Sequence, residues 1–247
     1  VKLSPTCPPI VPLIPEIDFI SVIKLNFKLV HKYTIRKLFL LNPNLYFTPM
    51  NFLAHIYLSG DNDLITIGNF IADGIIGKDY KKYPKNIQIG ILLHRHIDTY
   101  TDAHKTVRKS TKRLHEKYGH YSGVIVDILY DHFLAKNWDA YCRTPLGVYV
   151  QSFYDSLESH YDFLPLRIQK MMPFMITDNW LLSYASIDGI SRVLNGMNRR
   201  TKNRSGMNEA VNELEIFYSL FENEFSSFFD ELIVSSNRKL KELTQKK

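Results

Sequence analysis

Histidine and aspartate residues suited to binding a metal ion recur at helical spacing in two segments of this 247-residue chain. The first segment contains His94, Asp98 and Asp102, and the second contains Asp127 and Asp131. Residues four apart lie on the same face of an α-helix, so each segment predicts a stripe of metal-ligating side chains. Two facing helices would direct these nitrogens and oxygens to one point, as a divalent cation such as Mn²⁺, Mg²⁺, Fe²⁺ or Zn²⁺ requires.

Two further candidate ligands precede these segments. His55 follows a short apolar stretch, and a lone histidine in such a stretch is more often a core residue than a ligand. Asp73 follows Asn69 by four residues on an otherwise apolar helix, where a capped or solvent-facing pair is the alternative. For His94 and Asp98, the alternative to a metal site is a hydrogen-bonded Asp–His pair.

Three side chains near the candidate ligands are candidates for catalysis. Arg95 is suited to clamping phosphate oxygens, and a surface ion pair is its alternative role. His132 directly follows Asp131 and is a candidate for proton transfer or for supporting a ligand. His96 points about 200° away from His94 around the helix, so it belongs to a different shell, but it is a second candidate proton donor.

The elements that must position these residues are helices. From Met50 onward, apolar residues recur at helical spacing, and no Asn-Gly hairpin separates two alternating runs. We therefore predict an all-α domain over residues 50–247, with about seven to nine helices. The clearest helical segments are 63–77, 84–100, 105–118, 124–138 and the long amphipathic stretch 207–243.

Residues 1–49 have a different composition. They contain seven of the eleven prolines, and six Lys or Arg residues against two Asp or Glu residues. We interpret them as a poorly ordered or misassigned N-terminal extension, with a basic amphipathic helix through Lys24, Lys28, Lys32 and Arg36 as the alternative. They contain no run of 18 apolar residues and no signal-peptide pattern, so we predict no membrane span.

Composition excludes several other classes of protein. With 45% hydrophobic residues, the chain can bury a large core. Its two cysteines are far apart and form no CxxC pair, which argues against a zinc ribbon and favours a reducing, cytoplasmic location. The net charge of +6 comes mostly from residues 1–49, so it does not indicate nucleic-acid binding.

Two basic segments have two interpretations. Such runs are usually solvated surface, and the alternative is a docking surface for an acidic protein. The first segment comprises Lys105, Arg108, Lys109, Lys112 and Arg113, of which Lys109, Lys112 and Arg113 are predicted to share a face. The second comprises Arg199, Arg200, Lys202 and Arg204.

Four ordered motifs resemble those of the acyl carrier protein phosphodiesterase (ACP hydrolyase) family. They are Met50-Asn-Phe-Leu-Ala-His55, Gly68-Asn-Phe-Ile-Ala-Asp73, His94-Arg-His-Ile-Asp98 with Thr101-Asp102-x-His104, and Asp127-x-x-Tyr130-Asp131-His132. The resemblance extends from Met50 to about Ile233. Lys105 stands where the family usually has proline, which leaves the local helix start open.

The resemblance implies an HD-domain-like helical bundle that removes 4′-phosphopantetheine from holo acyl carrier protein in a metal-dependent hydrolysis. Mn²⁺ is the first candidate metal, with Mg²⁺ or Fe²⁺ as alternatives. The expected ligands are His55, Asp73, His94, Asp98 and Asp131, with Arg95 on the phosphate and His132 or His96 as proton donor. An HD-type nucleotide or other small phosphoester hydrolase, and a non-catalytic carrier-binding module, are the alternative functions.

Overall fold

The structure is a computed structural model that describes residues 52–245, and within that range it consists of helices, turns and loops without a β-strand. The all-α class predicted from the sequence is confirmed. The predicted N-terminal extension, residues 1–49, lies outside the described residues. No helix of the described part of the chain is both long and apolar enough to cross a membrane.

Eight helices in this range have nine or more residues, in agreement with the predicted seven to nine. The first half of the fold contains α1 (Phe52–Tyr57), α2 (Asp63–Ile71), α3 (Lys85–Ala103), α4 (Lys105–Tyr118), α5 (Ser122–Lys136) and α6 (Trp138–Tyr141). The second half contains α7 (Leu146–Ser159), α8 (Leu166–Thr177), α9 (Trp180–Ser183), α10 (Ile187–Arg200), α11 (Ala210–Ile216) and α12 (Tyr218–Gln245).

Helix boundaries differ from the predictions at two places, and one helix start that was left open is now defined. The helix predicted over 63–77 ends at Ile71 and continues as one 3₁₀ turn, Ala72–Gly74, which carries Asp73. The helix start that the resemblance left open lies at Lys105. His104 caps this helix, because its ring accepts a hydrogen bond from the Thr106 amide. The long C-terminal segment is divided between α11 and α12.

Close packing of α2 on α3 sets the geometry of the candidate site. A Cβ atom on Gly68 would overlap the carbonyl group of Ile87, and one on Gly90 would overlap the carbonyl oxygen of Ile65. The two glycines therefore let the helix backbones touch. This contact places Asn69, next to Gly68, against His94 of the facing helix.

Helix α5 crosses the interior of the domain and is buried on most sides. Its apolar residues include Ile125, Leu129 and Phe133, and the aromatic residues of α12 pack against it, with the Phe133 and Phe225 rings 6.0 Å apart. A helix that is apolar nearly all round is typical of a core position. Asp131 and His132 are consequently buried together with these residues.

Candidate metal centre

Two buried histidines from different helices converge on one asparagine. The rings of His55 (α1) and His94 (α3) stack with their centres 4.1 Å apart. Their Nδ1 atoms lie 2.7 and 3.2 Å from the same oxygen, Oδ1 of Asn69. The Asn69 amide nitrogen donates to the His55 carbonyl oxygen and to Ser59 Oγ, which fixes the amide orientation. Each Nδ1 therefore donates its proton to Asn69, and Nε2 is the nitrogen left to bind a ligand.

The two Nε2 atoms meet Asp98. His55 Nε2 lies 3.2 Å from Asp98 Oδ1, and His94 Nε2 lies 3.0 Å from Asp98 Oδ2. Ligand atoms of these three residues all lie within 4.8 Å of one another. Asp73 adds a second carboxylate oxygen 3.0 Å from His94 Nε2. Two imidazole nitrogens with carboxylate oxygens form a donor set that fits a borderline or hard divalent cation.

Charge coupling within this triad of His55, His94 and Asp98 is strong. Burial opposes protonation of His94, but hydrogen bonds with Asp73 and Asp98 outweigh it and raise the pKa of His94 to about 9. Burial lowers the pKa of His55, and the charge of His94 lowers it further. Burial would raise the pKa of Asp98, but its hydrogen bonds with both histidines hold that pKa well below the usual range.

Asp127 adds a further carboxylate to the surroundings of the triad. Burial and the negative charges of Asp98, Asp131, Asp102 and Asp73 raise the pKa of Asp127 well above its ordinary value. A cation held by the triad would relieve this repulsion. The sequence placed Asp127 on a donor stripe, four residues before Asp131, but the predicted ligand set did not include it.

The structure does not bring Asp131 into the triad. Its two carboxylate oxygens accept hydrogen bonds from the backbone amides of Leu53 and Ala54, each at 2.9 Å. Burial raises the pKa of Asp131 to about 8, although these bonds favour the charged form. The carboxylate thus satisfies amides in the first turn of α1, which have no partner within their own helix. In this arrangement Asp131 positions the helix that carries His55.

The three predicted catalytic residues also contact groups outside the triad. His132 engages the Tyr184 carbonyl oxygen through Nδ1 and the Tyr218 hydroxyl through Nε2, at 2.7 and 2.9 Å. His96 Nε2 lies 2.9 Å from Ser235 Oγ of α12. Their roles as proton donors stay predictions. The contacts observed for both rings are with groups outside the triad.

Arg95 supports the chain that follows Asp73. Its guanidinium group donates to the Ile75 carbonyl oxygen at 3.1 Å and lies 5.3 Å from the centre of the Tyr80 ring. The predicted phosphate clamp remains a prediction, and the observed contact fixes the loop after the 3₁₀ turn. Asn69, which sequence reasoning treated only as a neighbour of Asp73, is the residue that joins the two histidines.

The basic side chains of helix α4 have two different sets of contacts. Arg113 forms two 2.7 Å bonds with the carboxylate of Glu224 on α12, and Lys109 lies 3.3 Å from the same carboxylate. Lys112 is on another face, where it lines a groove of about 330 Å³ together with Arg108 and the carboxylates Asp102 and Asp127. The pairing of Lys109 and Arg113 with Glu224 separates their contacts from those of Lys112, and the predicted docking role of these three residues stays a prediction.

Comparison with known proteins agrees with the motifs. The family model described as acyl carrier protein phosphodiesterase matches residues 50–232. A relative of that name from Photorhabdus laumondii subsp. laumondii is 31% identical over 191 residues, which are 77% of this chain and 96% of the relative. One from Yersinia pestis is 30% identical over 77% of this chain and 99% of its own. No solved structure gives a significant match. The chain belongs to the acyl carrier protein phosphodiesterase family.

Proposed function

We propose that this chain hydrolyses the phosphodiester that joins 4′-phosphopantetheine to a serine of holo acyl carrier protein, releasing apo carrier protein and 4′-phosphopantetheine. The names of the curated relatives support this reaction. The observation that carries the chemistry is the shared contact of both histidine Nδ1 atoms with Asn69, which directs both Nε2 atoms to Asp98. A phosphodiester repels nucleophiles until its charge is neutralised, so the reaction needs such a cation site.

The triad of His55, His94 and Asp98 would hold the divalent ion, with Asp73 as a fourth donor. Mn²⁺ is the first candidate, and Mg²⁺ and Fe²⁺ are alternatives. Bound there, the ion would neutralise charge on the phosphate and lower the pKa of a water molecule. The protein contributes the orientation of both imidazoles through Asn69. Asp98, whose side chain is 46% exposed, lies on the side from which a substrate can approach.

The groove beside the triad is the proposed route for the phosphodiester. Asp127 and Asp102 line it, and the carboxylate of Asp127 interacts electrostatically with that of Asp98 in the triad. We assign Asp127 to accept a proton from the attacking water at a carboxylate oxygen. Arg108 and Lys112, both exposed on α4, face the same groove and would attract the phosphate oxygens and an acidic carrier protein.

The direct test is mass spectrometry of holo acyl carrier protein incubated with the protein and Mn²⁺. We expect conversion to apo carrier with release of 4′-phosphopantetheine, and loss of conversion in Asp98→Asn. Asp162→Asn is the matched control, because Asp162 is an exposed aspartate in a separate 3₁₀ turn. Conversion that persists undiminished in Asp98→Asn contradicts the assigned centre.

The same preparation separates the alternative functions. Turnover of bis-p-nitrophenyl phosphate without any conversion of holo carrier would indicate a small-phosphoester hydrolase. Binding of carrier with no bound metal and no turnover would indicate a non-catalytic module. Either outcome contradicts the proposed reaction.

We also propose that residues 50–247 form one domain sufficient for this activity. The family match begins at residue 50, and every residue of the proposed centre follows it. A chain starting at Met50 should retain the melting temperature and the turnover of the full chain. If that shorter chain is insoluble or melts well below the full chain, residues 1–49 are structurally required.

A further inference from the structure

A second cavity, of about 660 Å³, lies between α9, α10 and the start of α1. Phe52, Trp180 and Tyr184 give it an aromatic wall. This volume is in the range of small-molecule sites, which are mostly apolar with a few placed polar groups. None of His55, His94 and Asp98 lines this cavity, so it is distinct from the metal centre.

The charged groups of the cavity are predominantly positive. Three arginines line it, Arg192, Arg199 and Arg200, against one carboxylate, Asp178. Arg192 and Arg199 are exposed, and within residues 52–245 neither forms an ion pair with a carboxylate. Arg200 lies deeper, with its guanidinium carbon 5.6 Å from the centre of the Trp180 ring. The cavity therefore has an excess of guanidinium groups, which suits an anion.

Helix α10 leaves open space between two of these arginines. Arg192, Gly196 and Arg200 follow one another at intervals of four, so they share a face of the helix. Apart from its own helix backbone, a Cβ atom at Gly196 would meet no atom of residues 52–245 within 4 Å. The glycine thus gives a ligand direct access to the helix backbone between the two guanidinium groups.

We propose that this cavity binds a phosphate monoester with an organic body. The phosphate would be held by Arg192, Arg199 and Arg200, since guanidinium groups bind phosphate oxygens in pairs. The organic part would lie against Trp180 and Tyr184. 4′-Phosphopantetheine, the product of the proposed reaction, belongs to this class, but the cavity site requires neither the metal centre nor turnover.

Isothermal titration calorimetry of the EDTA-treated full chain tests the site, because chelation removes any metal that would bind phosphate elsewhere. The probes are adenosine monophosphate and 4′-phosphopantetheine, with adenosine and pantetheine as controls lacking the phosphate. We expect at least one phosphate to bind once per chain and its control at least tenfold more weakly. If neither phosphate binds, or if the controls bind equally well, the proposal is overturned.

Two variants locate the binding site. Gly196→Leu should weaken binding of the phosphate probe at least tenfold, because the new side chain fills the cavity. Gly147→Leu is the matched control: Gly147 is also a helical glycine with nothing within 4 Å of its Cβ position, and it does not line the cavity. Leucine favours helix more than glycine does, so both variants should fold.

A double variant removes the charges without filling the space. Arg192→Gln with Arg199→Gln should also weaken the phosphate probe at least tenfold, while Asp98→Asn should leave its binding unchanged. Binding that survives in both cavity variants overturns the proposal. Binding that is lost in Asp98→Asn assigns the anion to the metal centre and also overturns it. Hydrolytic activity is not measured, so these results stand apart from the proposed reaction.

Discussion

Asp98 and Glu224 are two carboxylates held by several positive or hydrogen-bonding groups, yet they form different kinds of site. Asp98 faces Nε2 of two histidines and keeps 46% of its side chain exposed. Glu224 accepts two bonds from Arg113 and one from Ser110, and its side chain is 8% exposed. In both cases hydrogen bonds outweigh burial and lower the carboxyl pKa.

The difference lies in what the partners can give up. An imidazole can lose its proton and bind a cation in its place, whereas an arginine guanidinium keeps its charge in proteins. The Asp98 cluster can therefore exchange protons for a metal ion and remains open to solvent. The Glu224 cluster joins α4 to α12 and has no exchangeable position. Four predictions test this comparison between a binding site and a structural clamp.

The largest effect should follow Asp98→Asn. Loss of a charged ligand should lower turnover of holo carrier by more than about 100-fold, since changes even behind the ligands typically cost 10- to 100-fold. Asp98 is partly exposed and Asp73 still pairs with His94 in this variant, so the loss of stability in metal-free protein should be smaller than that of Glu224→Ala. Steady-state kinetics and denaturant unfolding measure the two effects. A large loss of stability would place Asp98 in the same class as Glu224.

Glu224→Ala should show the opposite pattern. It leaves the mostly buried Arg113 without its partner, and breaking such a pair typically costs about 3–5 kcal/mol of unfolding free energy. Turnover per folded molecule should stay near that of the parent chain. Urea unfolding followed by activity at low temperature checks both points. A stable Glu224→Ala protein with reduced activity would contradict the clamp.

The pH dependence of stability should distinguish the exchangeable site. The folded-state pKa of His94, about 9, exceeds the value of 6.5 expected for the unfolded chain. Its stabilising contribution is therefore complete below pH 6.5 and is lost as pH rises through about 9. The loss in metal-free protein should be on the order of 3 kcal/mol.

Metal should reverse this trend, because a cation must displace the His94 proton. Stabilisation by Mn²⁺ should increase from pH 6.5 to about 9 and then level off. Thermal melts with EDTA and with Mn²⁺ across this range provide the measurement, with His94→Gln as the control that should weaken both trends, because Asp127 and Asp131 also titrate with raised pKa values. Identical pH profiles for the parent chain and His94→Gln would assign the dependence to other groups.

The smallest effect concerns the two faces of α4. Lys112→Gln should raise the KM for holo carrier severalfold and weaken its salt dependence, because Lys112 lines the groove beside Asp127. Lys109→Gln is matched in residue type, helix and substitution, but Lys109 pairs with Glu224, so its KM should be nearly unchanged. Turnover of bis-p-nitrophenyl phosphate should be unaffected in both. Equal KM changes would mean that the two faces do not differ in docking.

The sequence alone determined the local features of this protein. Helical spacing predicted the boundaries of α3, α4 and α5 closely, because buried apolar faces repeat with the period of the helix. It also placed His94 and Asp98 on one face, since residues four apart in a helix are neighbours whatever the rest of the fold does. The four motifs indicated the family, which the family match and the relatives confirmed.

Only the tertiary structure decided which groups meet. His55 and His94 are 14 and 25 positions away from Asn69 in the chain, and both contact it. The packing of α1 on α2 brings His55 to Asn69, and the close contact of α2 with α3 brings His94 to it. Asp131 lies on the predicted donor stripe, yet its carboxylate binds the amides of α1. The packing of α5 against α1 determines this contact, and the spacing of residues within α5 does not. Helical periodicity fixes which side chains share a face, whereas packing between helices fixes what each face contacts.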